Sequence, residues 1–292
     1  MFDMDAVGIG SNSEAASTRP ESLNAAAACN WTAVDLAELA ALLGVALDLP
    51  ANTADVEFTV RRLHPGETLC RAGDEFESLY VVRSGFLKTV SFDDAGNEQV
   101  LAFPMRGDAI GVDGFDRGHH TEDAIALESC HVIIVPFARI AALARNIPNV
   151  ERLVYAIFNR ELVHRQNMVR LLGMLNAEAR VAAFLLDLSD RFGRLGCSKS
   201  AFVLRMTRYE LGGYLGIKLE TVSRALSAFA ACGLIDVDRR EVVLNDMLQL
   251  RGKLASPAPK SCSLRVDRQT AAGSRRLAGP AASQTSIARM AA

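Results

Sequence analysis

The sequence predicts an α+β chain: a small roll of short strands, one long helix, and a C-terminal helix-turn-helix with a β-like end. Three observations point there. From about Phe58 to Phe137, short stretches rich in β-branched and aromatic residues alternate with turn residues. From about Asn149 to Leu175 a helical spacing of apolar residues runs without a break. Residues 206–234, MTRYELGGYLGIKLETVSRALSAFAACGL, carry a helix start, a glycine turn and a second apolar face in quick succession.

Taken in order, residues 1–30 are rich in Ala, Ser, Asn and Gly without periodicity and are expected to be a disordered extension. Trp31 to Leu49 has helical spacing and predicts a short amphipathic helix. It opens a first domain, 31–147, whose candidate strands are FTVRRL, ETLCRA, SLYVVRSG, FLKTVSF, EQVLAF and CHVIIVPF. Many short strands at such spacing suggest a barrel or roll. The long helix is placed at 148–175. Tyr155, Phe158, Leu162, Val169 and Leu172 recur every three or four residues, with Arg165 in the same stripe, as in a seam that pairs with an identical helix. A second stripe, Val154, Ile157, Met168, Leu171 and Leu175, would pack on its own subunit. The plainer alternative is a buried helix with two apolar faces. A second domain, 176–253, begins with a helix from Ala177 to Phe192 and ends on the β-like Leu234 to Leu244. The remainder, 254–292, carries Lys260, Arg265, Arg268, Arg275, Arg276 and Arg289 against Asp267. It reads as a basic disordered tail, either a solvated extension or a source of salt-sensitive nucleic-acid affinity.

Composition narrows the function classes. The 292 residues suffice for two domains at the usual ~100–200 residues each. The formal net charge is −2, so any nucleic-acid surface must be local. No apolar run reaches the ~18 residues of a membrane span. The N-terminal stretch, with Asp3, Asp5 and Glu14, does not read as a secretory signal, so a cytoplasmic protein without a membrane partner is expected. Cys29, Cys70, Cys130, Cys197, Cys232 and Cys262 are scattered without a C-x2-C pair, which argues for free thiols and against a metal site. No Ser/His/Asp constellation, phosphate loop or paired carboxylate cleft appears, so no catalytic residues are assigned and the chain is not expected to be an enzyme.

The sharpest signal lies in residues 206–234. Thr207 and Glu210 are spaced as a capping box. Leu211, Tyr214 and Leu215 form an apolar face, and Gly216 sits where a two-helix unit turns. Leu219, Val222 and Leu226 are expected on the buried face of the next helix. That leaves Glu220, Thr221, Ser223 and Arg224 outward. An Arg can donate twice to guanine, a Glu can accept from cytosine, and a Ser can bond either base edge. Lys218 is positioned for a phosphate, and Thr207 and Arg208 are further candidates for DNA contact. Glu220 and Arg224, four apart, could also orient each other; the bland alternative is a solvent-facing salt bridge.

On PGETLCRAGDEFESLYVVRSGFLKTV, GDAIGVDGF, LNAEARVAAFLLDLSDRF and MTRYELGGYLGIKLETVSRAL, the chain resembles the Crp/Fnr family of bacterial transcription regulators, in its Fnr-like branch. The resemblance runs from about Phe58 to Leu250. It implies a cyclic-nucleotide-binding-like β-roll, a long dimerisation helix and a winged helix-turn-helix with Asp236 to Leu244 as the wing. It further implies a homodimer on double-stranded DNA, acting as an activator through RNA polymerase, in response to oxygen, redox or metabolic state. In Fnr-like members an E-x-x-S-R arrangement, here Glu220, Ser223 and Arg224, reads a TTGAT-type half-site. Leu219 stands where the cyclic-AMP-receptor branch has an Arg.

Two family ligands are not expected to carry over, so no cofactor is assigned. An Fnr-type [4Fe–4S] cluster needs four thiolates. The N-terminal region offers Cys29, and the family's roll cysteine falls on Ile133, near Cys130. Cyclic AMP needs an Arg for its phosphate, where this chain has Glu122 and Asp123. His119, His120 and His131 read as structural rather than as metal or haem ligands. Cys232 reads as a buried apolar cysteine, the alternative being a thiol that reports oxidation to the DNA. Arg165 falls where Fnr-like proteins carry an Asp, and is expected to set the monomer–dimer balance, answered by Glu161 or Glu178. An effector-gated roll with an unidentified ligand and a constitutive regulator controlled by abundance remain alternatives.

Overall fold

The computed structural model describes residues 33–46, 56–147, 149–174 and 176–255. The expectations for residues 1–30, for most of the basic tail, and for Cys29 and Cys262 lie outside the described residues. The first domain contains β1 (Ala33–Asp35), α1 (Leu36–Leu42), β2 (Glu57–Leu63), β3 (Thr68–Cys70), β4 (Ser78–Ser84), β5 (Leu87–Phe92), β6 (Glu98–Ala102), β7 (Ala109–Ile110), β8 (Asp123–Ala126), β9 (Cys130–Pro136) and α2 (Phe137–Asn146). The long helix is α3 (Glu151–Met174). The second domain contains α4 (Ala177–Arg194), β10 (Ala201–Val203), α5 (Arg208–Leu215), α6 (Leu219–Ala231), β11 (Ile235–Asp238), β12 (Glu241–Leu244) and α7 (Met247–Gly252).

Two antiparallel sheets build the roll, in the orders β1-β2-β9-β4-β7 and β3-β8-β5-β6. Alternation along β4 and β9 explains why their sequences are almost continuously apolar. Val82, Cys130 and Val132 point between the sheets with Leu63, Leu87 and Ile110, whereas Leu79, Val81, Ile133 and Val135 point to α1, α2 and α3. A sheet covered on both faces leaves no polar side to its central strands. The helix expected from Trp31 is shorter than its spacing suggests. Ala33–Asp35 pairs with β2, Val34 lying opposite Phe58, and Asp35 then caps α1 by accepting the Glu38 N–H at 2.7 Å. Over so short an apolar run, strand and helix spacing are hard to separate, and long-range pairing decides.

The long helix uses its two stripes differently. Val154 and Ile157 pack on the roll's helix-side core, and Met168 and Leu171 pack on the core of the second domain. That core is continuous with the outer face of the four-stranded sheet. Val90, Val100 and Phe103 meet α4 and α5, with Phe103 and Tyr214 rings 5.1 Å apart and Phe184 and Tyr214 rings 5.7 Å apart. A three-stranded sheet, β10-β12-β11, and the short helix α7 close the domain.

Candidate nucleic-acid interface

The helix pair forms as its local chemistry dictates. Thr207 Oγ1 accepts the Glu210 N–H at 3.1 Å, and Glu210 Oε2 accepts the Thr207 N–H at 2.7 Å, so two orphan donors of α5 are satisfied reciprocally. The turn needs two glycines. Gly216 ends α5 at φ 62°, and a Cβ on Gly212 would lie 2.6 Å from the Ile217 carbonyl. Lys218 then precedes α6, its carbonyl accepting the Thr221 and Val222 N–H groups. A Lys side chain cannot accept, and no side chain caps α6, which leaves its first amides for an anion.

On α6, Val222, Ala225, Leu226 and Phe229 are buried against α4 and α5. Glu220, Ser223 and Arg224 are exposed and Thr221 is half-exposed. At 100° per residue they share one face, which Ser227 extends. Leu219 departs from the expected buried face: it is 40% exposed. As the first residue of α6 it protrudes past α5, so the core begins at Val222. The expected mutual orientation of Glu220 and Arg224 is also absent among the described residues; Arg224 Nη2 instead leans to Thr221 Oγ1 at 3.5 Å.

Thr207 and Arg208 lie apart from that face, beside the β11–β12 turn. Arg208 Nη2 donates to the Arg239 carbonyl at 3.2 Å, and Arg240 Nη1 donates to the Arg205 carbonyl at 3.3 Å. Burial lowers the Arg208 pKa. Arg205, Arg239, Arg240 and the exposed Tyr209 thus gather around the start of α5. Sequence reasoning missed them, although an Arg-Arg pair in the turn of an expected wing was a usable signal. Cys232 also corrects its expectation: it is exposed at the end of α6, because the buried spacing of that helix stops at Phe229.

The second domain is fastened to the roll by charge as well as by apolar packing. Lys88, half-buried between the domains, reaches Glu98 at 2.8 Å and Glu210 at 3.1 Å. Burial works against the Lys88 ammonium, but the two carboxylates outweigh it and raise its pKa. Burial likewise pushes Glu210 up, and the Thr207 donors and Lys88 bring it below the ordinary range. Gln99 donates to the Gly213 carbonyl at 2.7 Å, Arg205 pairs with Glu128 at 3.2 Å, and Arg191 pairs with Asp108.

The expected seam divides in two. Tyr155, Leu162 and Val169 are exposed at 65%, 56% and 72%. Phe158 packs edge-on against Phe115 of the roll, centroids 5.2 Å apart, and Leu172 lies half-buried beside the Gly216 turn. Arg165 is answered by Glu161 at 2.6 Å and, in place of Glu178, by Glu122 of the roll at 2.7 Å.

Several thiols and imidazoles of the roll are buried or have partners within it. Ile133 is fully buried in the core. Cys130 donates to the Phe86 and Glu128 carbonyls at 3.1 and 3.2 Å, and burial pushes its thiol up to about 11. Cys70, also buried, is pushed up to about 12. His131 bonds the Ser84 hydroxyl at 3.1 Å, and His120 is buried. No cluster of three or more metal-ligating side chains occurs among the described residues, and none of their helices is long and apolar enough to cross a membrane.

Comparison with known proteins places this geometry in context. Residues 60–146 match the cyclic nucleotide-binding domain family, and residues 179–252 the Crp-like helix-turn-helix domain family. The transcriptional activator protein Anr of Pseudomonas protegens is 42% identical over 190 residues, covering 65% of this chain and 78% of that protein. The fumarate and nitrate reduction regulatory protein of Escherichia coli is 39% identical over 193 residues, 65% of this chain and 77% of that protein. The solved structure of FixK2 from Bradyrhizobium japonicum superposes with a TM-score of 0.63 at 29% identity, covering 69% of this chain and 99% of that one.

Proposed function

Because the chain belongs to the Crp/Fnr family of DNA-binding transcription regulators, we propose that it reads a palindrome of TTGAT-type half-sites as a homodimer. In this reading Arg224 donates to a guanine, Glu220 accepts from a cytosine, and Ser223 bonds a neighbouring base edge. Lys218 and the uncapped start of α6 meet a phosphate, as do Thr207, Arg208 and the wing arginines. The exposed stripe Tyr155, Leu162 and Val169 forms the seam, with Arg165 within it. The protein works as an activator, in line with the name of its Anr relative, and in this reading it does so in the cytoplasm through contact with RNA polymerase.

The observation that carries this reading is the outward presentation of Glu220, Ser223 and Arg224 on one face of α6. The exposed Leu219 beside them supports the Fnr-like half-site over the cyclic-AMP-receptor type. The test is titration of purified protein onto a duplex carrying TTGAT, a four-base-pair spacer and ATCAA, against a scrambled duplex. Tight binding to the first and weak, salt-sensitive binding to the second is expected. Equal affinity for both overturns the half-site assignment. Binding that responds to oxygen, redox or metabolic state is the expected behaviour. Indifference to oxygen, thiol reductant and cyclic nucleotide would favour a constitutive regulator. The roll is expected to carry no Fnr-type cluster. A brown, iron-rich protein purified without oxygen would overturn that part.

A further inference from the structure

The loop between β7 and β8 holds an anion cradle that the chain itself fills. Oδ2 of Asp113 accepts the Thr121 N–H at 2.6 Å, the Thr121 hydroxyl at 3.2 Å and the Glu122 N–H at 3.2 Å. Oδ1 lies 3.6 Å from Nδ1 of His120, a ring packed between those of Phe76 and Tyr80. Two successive backbone amides and a hydroxyl converging on one oxygen form the donor set that an anionic ligand needs. Burial alone would push the Asp113 carboxyl up, but His120 and the Thr121 N–H outweigh it and hold it below the usual carboxylate range. Asp123 closes the adjoining stretch by accepting the Ala72 N–H at 2.8 Å.

The cradle also leads to the long helix. Glu122, whose amide it binds, is 9% exposed, and its carboxylate holds Arg165 at 2.7 Å. Glu161 holds the same guanidinium from one helical turn away. Arg165 sits between Leu162 and Val169 in the exposed stripe. Across a two-fold seam an unanswered Arg165 would face its own copy, like charge against like. With both carboxylates in place, the guanidinium is paired within its own chain and drawn towards the roll before a partner arrives.

We propose that the roll is self-liganded: the Asp113 carboxylate occupies the anion cradle, fixes the Thr121–Glu122 backbone, and so keeps Glu122 on Arg165, setting the pairing-competent helix without a small-molecule anion. The proposal rests on the reading of α3 as the dimer seam. It assigns the cradle to small carboxylate or phosphate anions once Asp113 is removed.

The test is the dimer dissociation constant of the full chain by sedimentation equilibrium, without DNA, with circular dichroism to follow folding. Asp113→Ala should weaken dimerisation by at least about tenfold, and sodium acetate at constant ionic strength should restore it where chloride does not. Glu122→Gln should weaken dimerisation in the wild-type chain and leave it unchanged in an Arg165→Leu background. An Asp113→Ala chain that dimerises normally, or that stays weakened in acetate, overturns the proposal. If Asp113→Ala does not fold, the Glu122→Gln pair decides, and an equal effect in both backgrounds overturns it. Failure of the half-site assignment leaves these readouts untouched. A wild-type chain that never dimerises sinks the seam reading and this proposal with it, whereas a dimer indifferent to every variant sinks the self-liganding alone.

Discussion

The cradle loop and the first turns of α6 carry similar residues in opposite circumstances. In the loop, Asp113, Glu122 and Asp123 each meet a donor from the same chain. On α6, Glu220, Ser223 and Arg224 face solvent, and Arg224 has one long bond to Thr221. Charges buried and answered internally fix a conformation, since an unanswered one there costs several kcal/mol. Charges left exposed and unanswered contribute little to folding and stay available to a partner. Polar side chains thus set shape in one region and, in the proposed reading, specificity in the other.

Four experiments bear on that contrast. The largest effect should come from beneath the reading face: Phe229→Ala empties a buried site and should cost about 3–5 kcal/mol of stability in urea unfolding. Loss of DNA binding should then track loss of fold. Arg224→Ala should do the reverse, costing about 1–3 kcal/mol on the palindrome and relaxing choice at the G·C pair. Its melting temperature should stay at the wild-type value, and a substantial drop would place Arg224 with the structural charges.

Acid should distinguish the two regions next. The Asp113 carboxyl sits below its ordinary range in the fold, so its stabilisation is fully present above the unfolded value of about 4. It is lost as pH falls through the folded value. Urea midpoints measured from pH 6 downward should therefore fall, and Asp113→Asn should flatten that limb. A limb as steep in the variant as in the wild type would remove Asp113 from the account. The smallest change is expected from Lys218→Ala, which should weaken all duplexes alike and reduce the salt slope by about one unit. A sequence-dependent loss would make Lys218 a base reader instead.

What was legible in the sequence was local. Thr207, Glu210 and Gly216 announce the helix pair because a cap and a turn are built from residues within a few positions of one another. β2 to β6 and β9 were legible for the same reason, whereas β7 and β8, two and four residues long, were not among the expected strands. The partners of Arg165 were half legible. Glu161 lies one turn away, but Glu122 lies 43 residues away and reaches it through the folded roll. Nor does any spacing disclose that Asp113 turns back onto Thr121, or that Ala33–Asp35 leaves its helical pattern to pair with β2. Leu219 and Cys232 were misplaced because an apolar residue at a helix end obeys the period without reaching the core.

The join between the roll and the reading head bears on how such proteins can be recombined. A chimaera cut at the start of α3 or α4 would look modular on paper, keeping each domain whole. It would also strand Val100 and Gln99 opposite a foreign α5, and leave Lys88 without the Glu210 that holds it. An exchanged head therefore travels intact only with the β5–β6 hairpin on which it rests, so the functional unit of inheritance crosses the domain boundary.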